Sequence, residues 1–118
     1  MGHELRKALA TLGEVITLTR KGNGVLCGDL VEQKALTSTV RQLAPDVIVN
    51  AAGFTAVDLA ETEPQQATAI NTTAANTLAA EAKASGALLV YYSTDYVFGG
   101  DGNRPYREED PKRPLNVY

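Results

Sequence analysis

The sequence predicts an α/β protein built on a doubly wound parallel sheet. Three observations carry this prediction. Short apolar, β-rich runs alternate along the chain with longer stretches whose apolar residues recur at helical spacing. The run Val47-Ile48-Val49 shows no apolar/polar alternation, which is the pattern of a strand buried on both faces. The run Leu88–Tyr92 breaks off into Ser93, Thr94 and Asp95. Polar side chains at the carboxyl end of a buried strand lie where open parallel sheets receive their ligands.

The elements follow in order. Leu5, Ala8, Leu9 and Leu12 keep the i, i+3, i+4, i+7 pattern, which predicts a helix over Met1–Leu12 with Gly13 as its C-cap. Val15–Thr19 reads as a strand and Val25–Cys27 as a short second one. Between them Lys21-Gly22-Asn23-Gly24 is a turn, since Gly and Asn tolerate positive φ. A helix over Glu32–Leu43 carries Leu36, Val40 and Leu43 on one face, and Pro45 ends it. After the Val47–Val49 strand, the small residues of Asn50-Ala51-Ala52-Gly53 leave room for a bulky group against the backbone. Pro64 opens a long helix that reaches Ser85, with Ala67, Ile70, Ala74 and Leu78 on one face and Gly86 as its stop. The Leu88 strand follows, and Gly99–Pro114 is a polar loop rich in Gly, Pro and charge.

The resulting order is α-β-β-α-β-α-β-loop, so the first helix has no strand before it. In a doubly wound nucleotide-binding sheet the first strand is central, in the order 3-2-1-4-5. Mapped onto that order, the chain supplies strands two to five, and an empty slot separates Val15–Thr19 from Val47–Val49. Unpaired ladder groups in a core are costly. The expectation is therefore that residues 1–118 are a partial nucleotide-binding domain, an internal fragment of a longer protein. A topology that closes the slot differently is the alternative.

The totals exclude several classes. The 118 residues suffice for one domain with a modest core. With 44% hydrophobic and 21% charged residues, the balance is that of a soluble globular domain. A net charge of −3 offers no footprint for nucleic acid or for an anionic membrane surface. No apolar stretch approaches membrane-spanning length, and the N-terminus has no signal-peptide core. The single cysteine, Cys27, reads as a small core residue and fits a reducing cytoplasm. Asn71-Thr72-Thr73 matches a glycosylation acceptor and, without a secretory signal, is read as chance.

Three stretches bear chemistry. The first is Asn50-Ala51-Ala52-Gly53-Phe54-Thr55-Ala56-Val57-Asp58-Leu59-Ala60-Glu61-Thr62-Glu63-Pro64. The second is Ser93-Thr94-Asp95-Tyr96-Val97-Phe98, and the third is Pro114-Leu115-Asn116-Val117-Tyr118. Together they resemble the extended short-chain dehydrogenase/reductases, which are Rossmann-like, and within them the dTDP-4-dehydrorhamnose reductase family. The resemblance covers essentially the whole chain. It implies NADPH- or NADH-dependent reduction of dTDP-4-dehydro-L-rhamnose to dTDP-L-rhamnose for bacterial surface polysaccharide such as lipopolysaccharide. It also implies a sugar-binding domain outside these residues, a homodimer with contacts near Asp58–Glu63, and in some members a need for Mg²⁺.

Residue roles follow from the same resemblance. Tyr118 matches the catalytic tyrosine and Thr94 the hydroxyl that hydrogen-bonds the reacting oxygen. Asp95 would hold sugar hydroxyls, and Tyr92 would pack near the nicotinamide. Ala52 and Gly53 would let the cofactor pass close to the chain, with Thr55 donating a hydrogen bond to it. Gly2 matches the last glycine of the family's G-x-x-G-x-x-G, where backbone N–H groups meet pyrophosphate. Asp29 and Leu30 match the adenine end of the cofactor site, although Asp29 also suits a plain helix cap. Asp58, Glu61 and Glu63 look like metal-ligand material, but carboxylates at a helix start are favoured by its dipole anyway, and a structural or interface role is the reading preferred.

Free tyrosine has a pKa of about 10, so a tyrosine that acts as proton donor needs a neighbouring cation. The family places a lysine one helical turn beyond it, in Tyr-x-x-x-Lys, and here Tyr118 is the last residue. Thr19-Arg20-Lys21 offers positive charge for a 2′-phosphate and favours NADPH. Two rivals share these residues: another extended short-chain enzyme, such as a sugar-nucleotide epimerase or dehydratase, and a reductase-like regulatory subunit without catalysis.

Overall fold

The structure, a computed structural model, describes residues 1–22 and 25–118. Its sheet is a parallel pair, β1 (Val47–Asn50) and β2 (Leu88–Tyr91), in the register Val47–Leu88, Ile48–Leu89, Val49–Val90 and Asn50–Tyr91. Parallel neighbours need a long crossover. Here it runs through α3 (Val57–Thr62), α4 (Pro64–Thr68), a π-helical turn (Ala69–Thr73) and α5 (Ala74–Ser85). Two helices precede β1: α1 (Gly2–Leu9) and α2 (Gln33–Leu43).

The core lies between the sheet and the α2/α5 layer. Leu30, Leu36, Val40, Ala74 and Leu78 are buried together, with Ile48, Ile70 and Leu89 packed against them. Ile48 and Leu89 are register partners, so this is one face of the pair. The expected helical faces hold: Leu36 and Val40 on α2, and Ala67, Ala74 and Leu78 along the crossover, are buried. Gly86 ends α5 at φ 77°, where a Cβ would be strained.

The strands are not buried on both faces as expected. Val47 is 50% and Leu88 61% exposed, because the helices cover only the face of Ile48 and Leu89. The second strand also stops at Tyr91 rather than Tyr92.

Neither Val15–Thr19 nor Val25–Cys27 is a strand. An extended segment joins a sheet only where a neighbouring backbone lies alongside in ladder register. Instead, the Thr19 carbonyl accepts from both Gly22 N–H (3.0 Å) and Gly28 N–H (3.2 Å). Gly28 permits this approach, since a Cβ there would lie 2.7 Å from Leu18 Cβ. Of the turn expected over Lys21-Gly22-Asn23-Gly24, Asn23 and Gly24 lie outside the described residues.

Helix α1 ends at Leu9, with Ala10 rather than Gly13 as its C-cap. The Thr11 hydroxyl donates to Ala8 O, and Leu12, 81% exposed, has nothing to pack on. Helix α3 was not expected as a separate element. Pro64 explains it: the residue before a proline is driven out of the helical region, and Glu63 sits at φ −123°, ψ 51°. A short helix therefore closes before Glu63, and a new one opens at Pro64. Cys27 is half-buried rather than core. Among the described residues no helix is long and apolar enough to cross a membrane.

Arg41 of α2 and Glu81 of α5 cross-link the helical layer, with guanidinium-to-carboxylate distances of 2.7 and 2.9 Å. The hydrogen bond from Arg41 holds the Glu81 carboxyl below its ordinary range. A lowered carboxylate pKa stabilises the fold above the unfolded value and ceases to do so as pH falls through the folded one. Glu81→Gln should therefore lower the urea midpoint at neutral pH and leave it unchanged in acid. A difference that persists in acid contradicts this role for the pair.

Candidate active site

Asn50 and Tyr91 are opposite each other at the ends of β1 and β2, so loops 51–56 and 92–98 leave the sheet at the same end. This is the carboxyl edge, where parallel sheets place ligands. In the first loop, Asn50 Oδ1 accepts from Ala52 N–H (3.1 Å), turning the chain directly after the strand. Ala52, Gly53 and Thr55 are exposed, forming a ledge of small residues.

Asn71, inside the π-helical turn, holds that ledge. Its Oδ1 accepts from Phe54 N–H (2.8 Å), and its Nδ2 donates to Phe54 O (3.0 Å). A Cβ on Gly53 would stand 3.2 Å from the same Oδ1, so glycine lets the amide approach. The Asn71 carbonyl accepts from the Tyr91 hydroxyl at 2.9 Å, which ties the first loop to the end of β2. Burial and then the neighbouring Tyr118 push the Tyr91 hydroxyl above its ordinary range, keeping it a donor.

In the second loop the Thr94 hydroxyl oxygen accepts from Tyr96 N–H (3.2 Å), capping a 3₁₀ turn over Asp95–Val97. It also donates toward Asp95 Oδ1 at 3.3 Å. The Tyr118 ring meets Tyr96 edge-on, with centroids 5.6 Å apart. The chain between these points is folded on itself. Phe98 stacks on Tyr106 at 4.3 Å, Arg104 pairs with Asp110 at 2.7 Å, and Arg113 N–H returns to Val97 O at 2.9 Å. Val117 N–H then donates to Glu61 Oε1 at 2.8 Å.

The structure thus gathers Ala52, Gly53 and Thr55 on one loop and Tyr92, Thr94, Asp95 and Tyr118 around the next, with Asn71 and Tyr91 between. Gly2, Asp29 and Leu30 stay on other segments. Gly2 is exposed, with open space where a Cβ would be. Asp29 Oδ1 accepts from Val31 N–H (3.0 Å), so its carboxylate closes a turn ahead of α2 rather than capping the helix. Leu30 is 9% exposed and part of the core.

Among the described residues no three His, Cys, Asp or Glu side chains could hold one ion together. Asn50 Nδ2 and Asn116 Oδ1 are buried without a hydrogen-bond partner among the described residues. Asn71 and Tyr91 are connecting residues to which the sequence assigned no site role, while Glu61, read there as structural or interfacial, bonds the Val117 amide. Asn71 carried a signal, because it falls on the apolar face with Ala67, Ala74 and Leu78, and an amide there needs partners.

A parallel strand–crossover–strand unit with a small-residue ledge after one strand, and hydroxyl, carboxylate and tyrosine after the next, defines the Rossmann-like α/β class. The chain belongs to the RmlD substrate binding domain family, whose profile matches residues 1–118. It is 48% identical to a dTDP-4-dehydrorhamnose reductase of Salmonella typhimurium, over all of this chain and 39% of that protein. Among solved structures it is similar to a dTDP-4-dehydrorhamnose reductase from Clostridium acetobutylicum, with a TM-score of 0.89 and 34% identity over 99% of this chain and 40% of that one. It is also similar to the same-named protein from Bacillus anthracis in complex with NADP, with a TM-score of 0.88 and 33% identity over 99% and 40%. The chain therefore spans less than half the length of these relatives.

Asn71→Ala leaves both Phe54 backbone groups without partners and should cost about 1–3 kcal/mol in chemical denaturation. Asn71→Asp keeps the acceptor but sets an oxygen against Phe54 O, so it should be no milder. An alanine variant as stable as the parent contradicts the clamp.

Proposed function

We propose that this chain is the nicotinamide-binding part of a reductase that converts dTDP-4-dehydro-L-rhamnose to dTDP-L-rhamnose. The carrying observation is the convergence of two loops at one sheet edge: the exposed ledge Ala52–Thr55 and the Thr94–Asp95 turn against which Tyr118 packs. The similarity to reductases of that name supports the substrate, and the NADP-bound relative supports a phosphorylated nicotinamide. Exposed Arg20 and Lys21 suit its 2′-phosphate.

A bound nicotinamide supplies hydride to the ketone carbon. The residues of this chain take the following parts. Ala52, Gly53 and Thr55 receive the pyrophosphate and ribose, and Tyr92, 43% exposed, covers the nicotinamide. The open Gly2 would meet the phosphates, and Asp29 with the Leu30 backbone would meet the adenine end, since the Leu30 side chain is spent in the core. The Tyr118 hydroxyl gives its proton to the ketone oxygen as the alcohol forms, and the Thr94 hydroxyl hydrogen-bonds the same oxygen. The Thr94–Asp95 contact at 3.3 Å is long enough for a substrate oxygen to displace it. Asp95, exposed, accepts from sugar hydroxyls.

In the full-length protein, adding the keto-sugar nucleotide should oxidise NADPH one for one. Tyr118→Phe should lower kcat by about 10²–10⁴, the usual contribution of general acid catalysis. Turnover without net NADPH loss points instead to an epimerase or dehydratase, and no turnover at all to a binding subunit.

A further inference from the structure

We infer that Glu61 is a positioning residue for Tyr118, acting through the backbone of the segment that carries it. The inference rests on the reading of Tyr118 as proton donor. Residues 111–118 contain no helix or strand, so no regular backbone bonding fixes their course. Among the described residues, two hydrogen bonds from its backbone N–H groups tie the end of this segment down: Arg113 N–H to Val97 O at 2.9 Å, and Val117 N–H to Glu61 Oε1 at 2.8 Å. Leu115 between them is 81% exposed and anchors nothing. Without Glu61, the last backbone hydrogen bond before Tyr118 among the described residues is at Arg113, leaving the half-buried Asn116 and the contacts of the Tyr118 ring with Tyr96 and neighbouring Tyr91 to steady the end of the segment.

Glu61 is suited to the task on three counts. It follows Ala60, which is completely buried, so its Cα is fixed by the packing of α3. A carboxylate accepting from N–H makes a charge-assisted bond, stronger than a neutral one. Among the described residues Glu61 has no ion-pair partner, so no salt bridge competes with the Val117 amide for its carboxylate. Glu61 thereby couples the first signature stretch to the third, two pieces of sequence 56 positions apart. A misplacement of about 1 Å in a catalytic group can cost about 10²-fold in rate, so a single exposed bond suffices to matter.

The test compares Glu61→Ala and Glu61→Gln in the full-length protein, because the glutamine Oε1 can still accept from Val117. Amide hydrogen exchange and steady-state kinetics are read together. Val117 should exchange about 10-fold faster in Glu61→Ala, and kcat should fall by about 10-fold or more with the NADPH dissociation constant unchanged. Glu61→Gln should stay within about threefold of the parent in both, since its bond is neutral but intact. An unchanged Val117 exchange rate, an unchanged kcat in the alanine variant, or equal losses in the two variants each overturn the inference. A parent protein that does not oxidise NADPH overturns the reductase reading instead, and the exchange of Val117 still decides whether Glu61 holds the segment.

Discussion

The in-register parallel pairing of Val47–Asn50 with Leu88–Tyr91 is the constraint on which the rest of the structure depends. Parallel strands end on the same side, so the loops that follow them start as neighbours although their first residues, Ala51 and Tyr92, are 41 positions apart in sequence. The pairing also dictates the crossover, which must climb back across the sheet and can bury only one of its faces. That face carries Ile48 and Leu89 into the core with Leu36, Val40 and Leu78. The opposite face, with Val47 and Leu88, stays open to solvent.

The crossover does more than connect. A π-helical turn changes the phase of a helix, and such turns are frequent at functional sites. Here the turn carries Asn71, whose side chain occupies both backbone groups of Phe54 while its carbonyl takes the Tyr91 hydroxyl. One residue thus fixes the ledge after β1 against the end of β2. The chain from the second loop onward is braced differently, by contacts within residues 98–110: the Phe98–Tyr106 stack and the Arg104–Asp110 pair. At Val117 it reaches back to the crossover, through Glu61.

Much of this was legible in the sequence, and the reasons for the misses are physical. The helical faces of α2 and of the crossover follow from spacing alone, because Leu36, Val40, Ala74 and Leu78 have one another to pack against. Strands are harder. Val15–Thr19 has strand composition, but a strand exists only by virtue of a neighbour, and its Thr19 carbonyl is spent on Gly22 and Gly28. The two-faced burial inferred for Val47–Val49 failed for the same reason, since composition does not say what covers a face. The Pro64 signal was correct about a helix start, yet its effect on Glu63 also implied the separate helix α3. At the site, residue types singled out Thr94 and Asp95, polar side chains at a strand end, and Ala52 and Gly53, whose small size leaves the backbone open. Asn71 and Glu61 act by bonding backbone groups far away in sequence, and no local pattern reveals those partners.

The ends of β1 and β2 are proposed to form one nicotinamide site. Backbone-amide NMR of the full-length protein titrated with NADP⁺ tests it most directly. The largest shift changes are predicted in two separate stretches, Ala52–Thr55 and Tyr92–Asp95, saturating with a single dissociation constant. Changes absent from both stretches, or confined to one of them, would contradict a shared site.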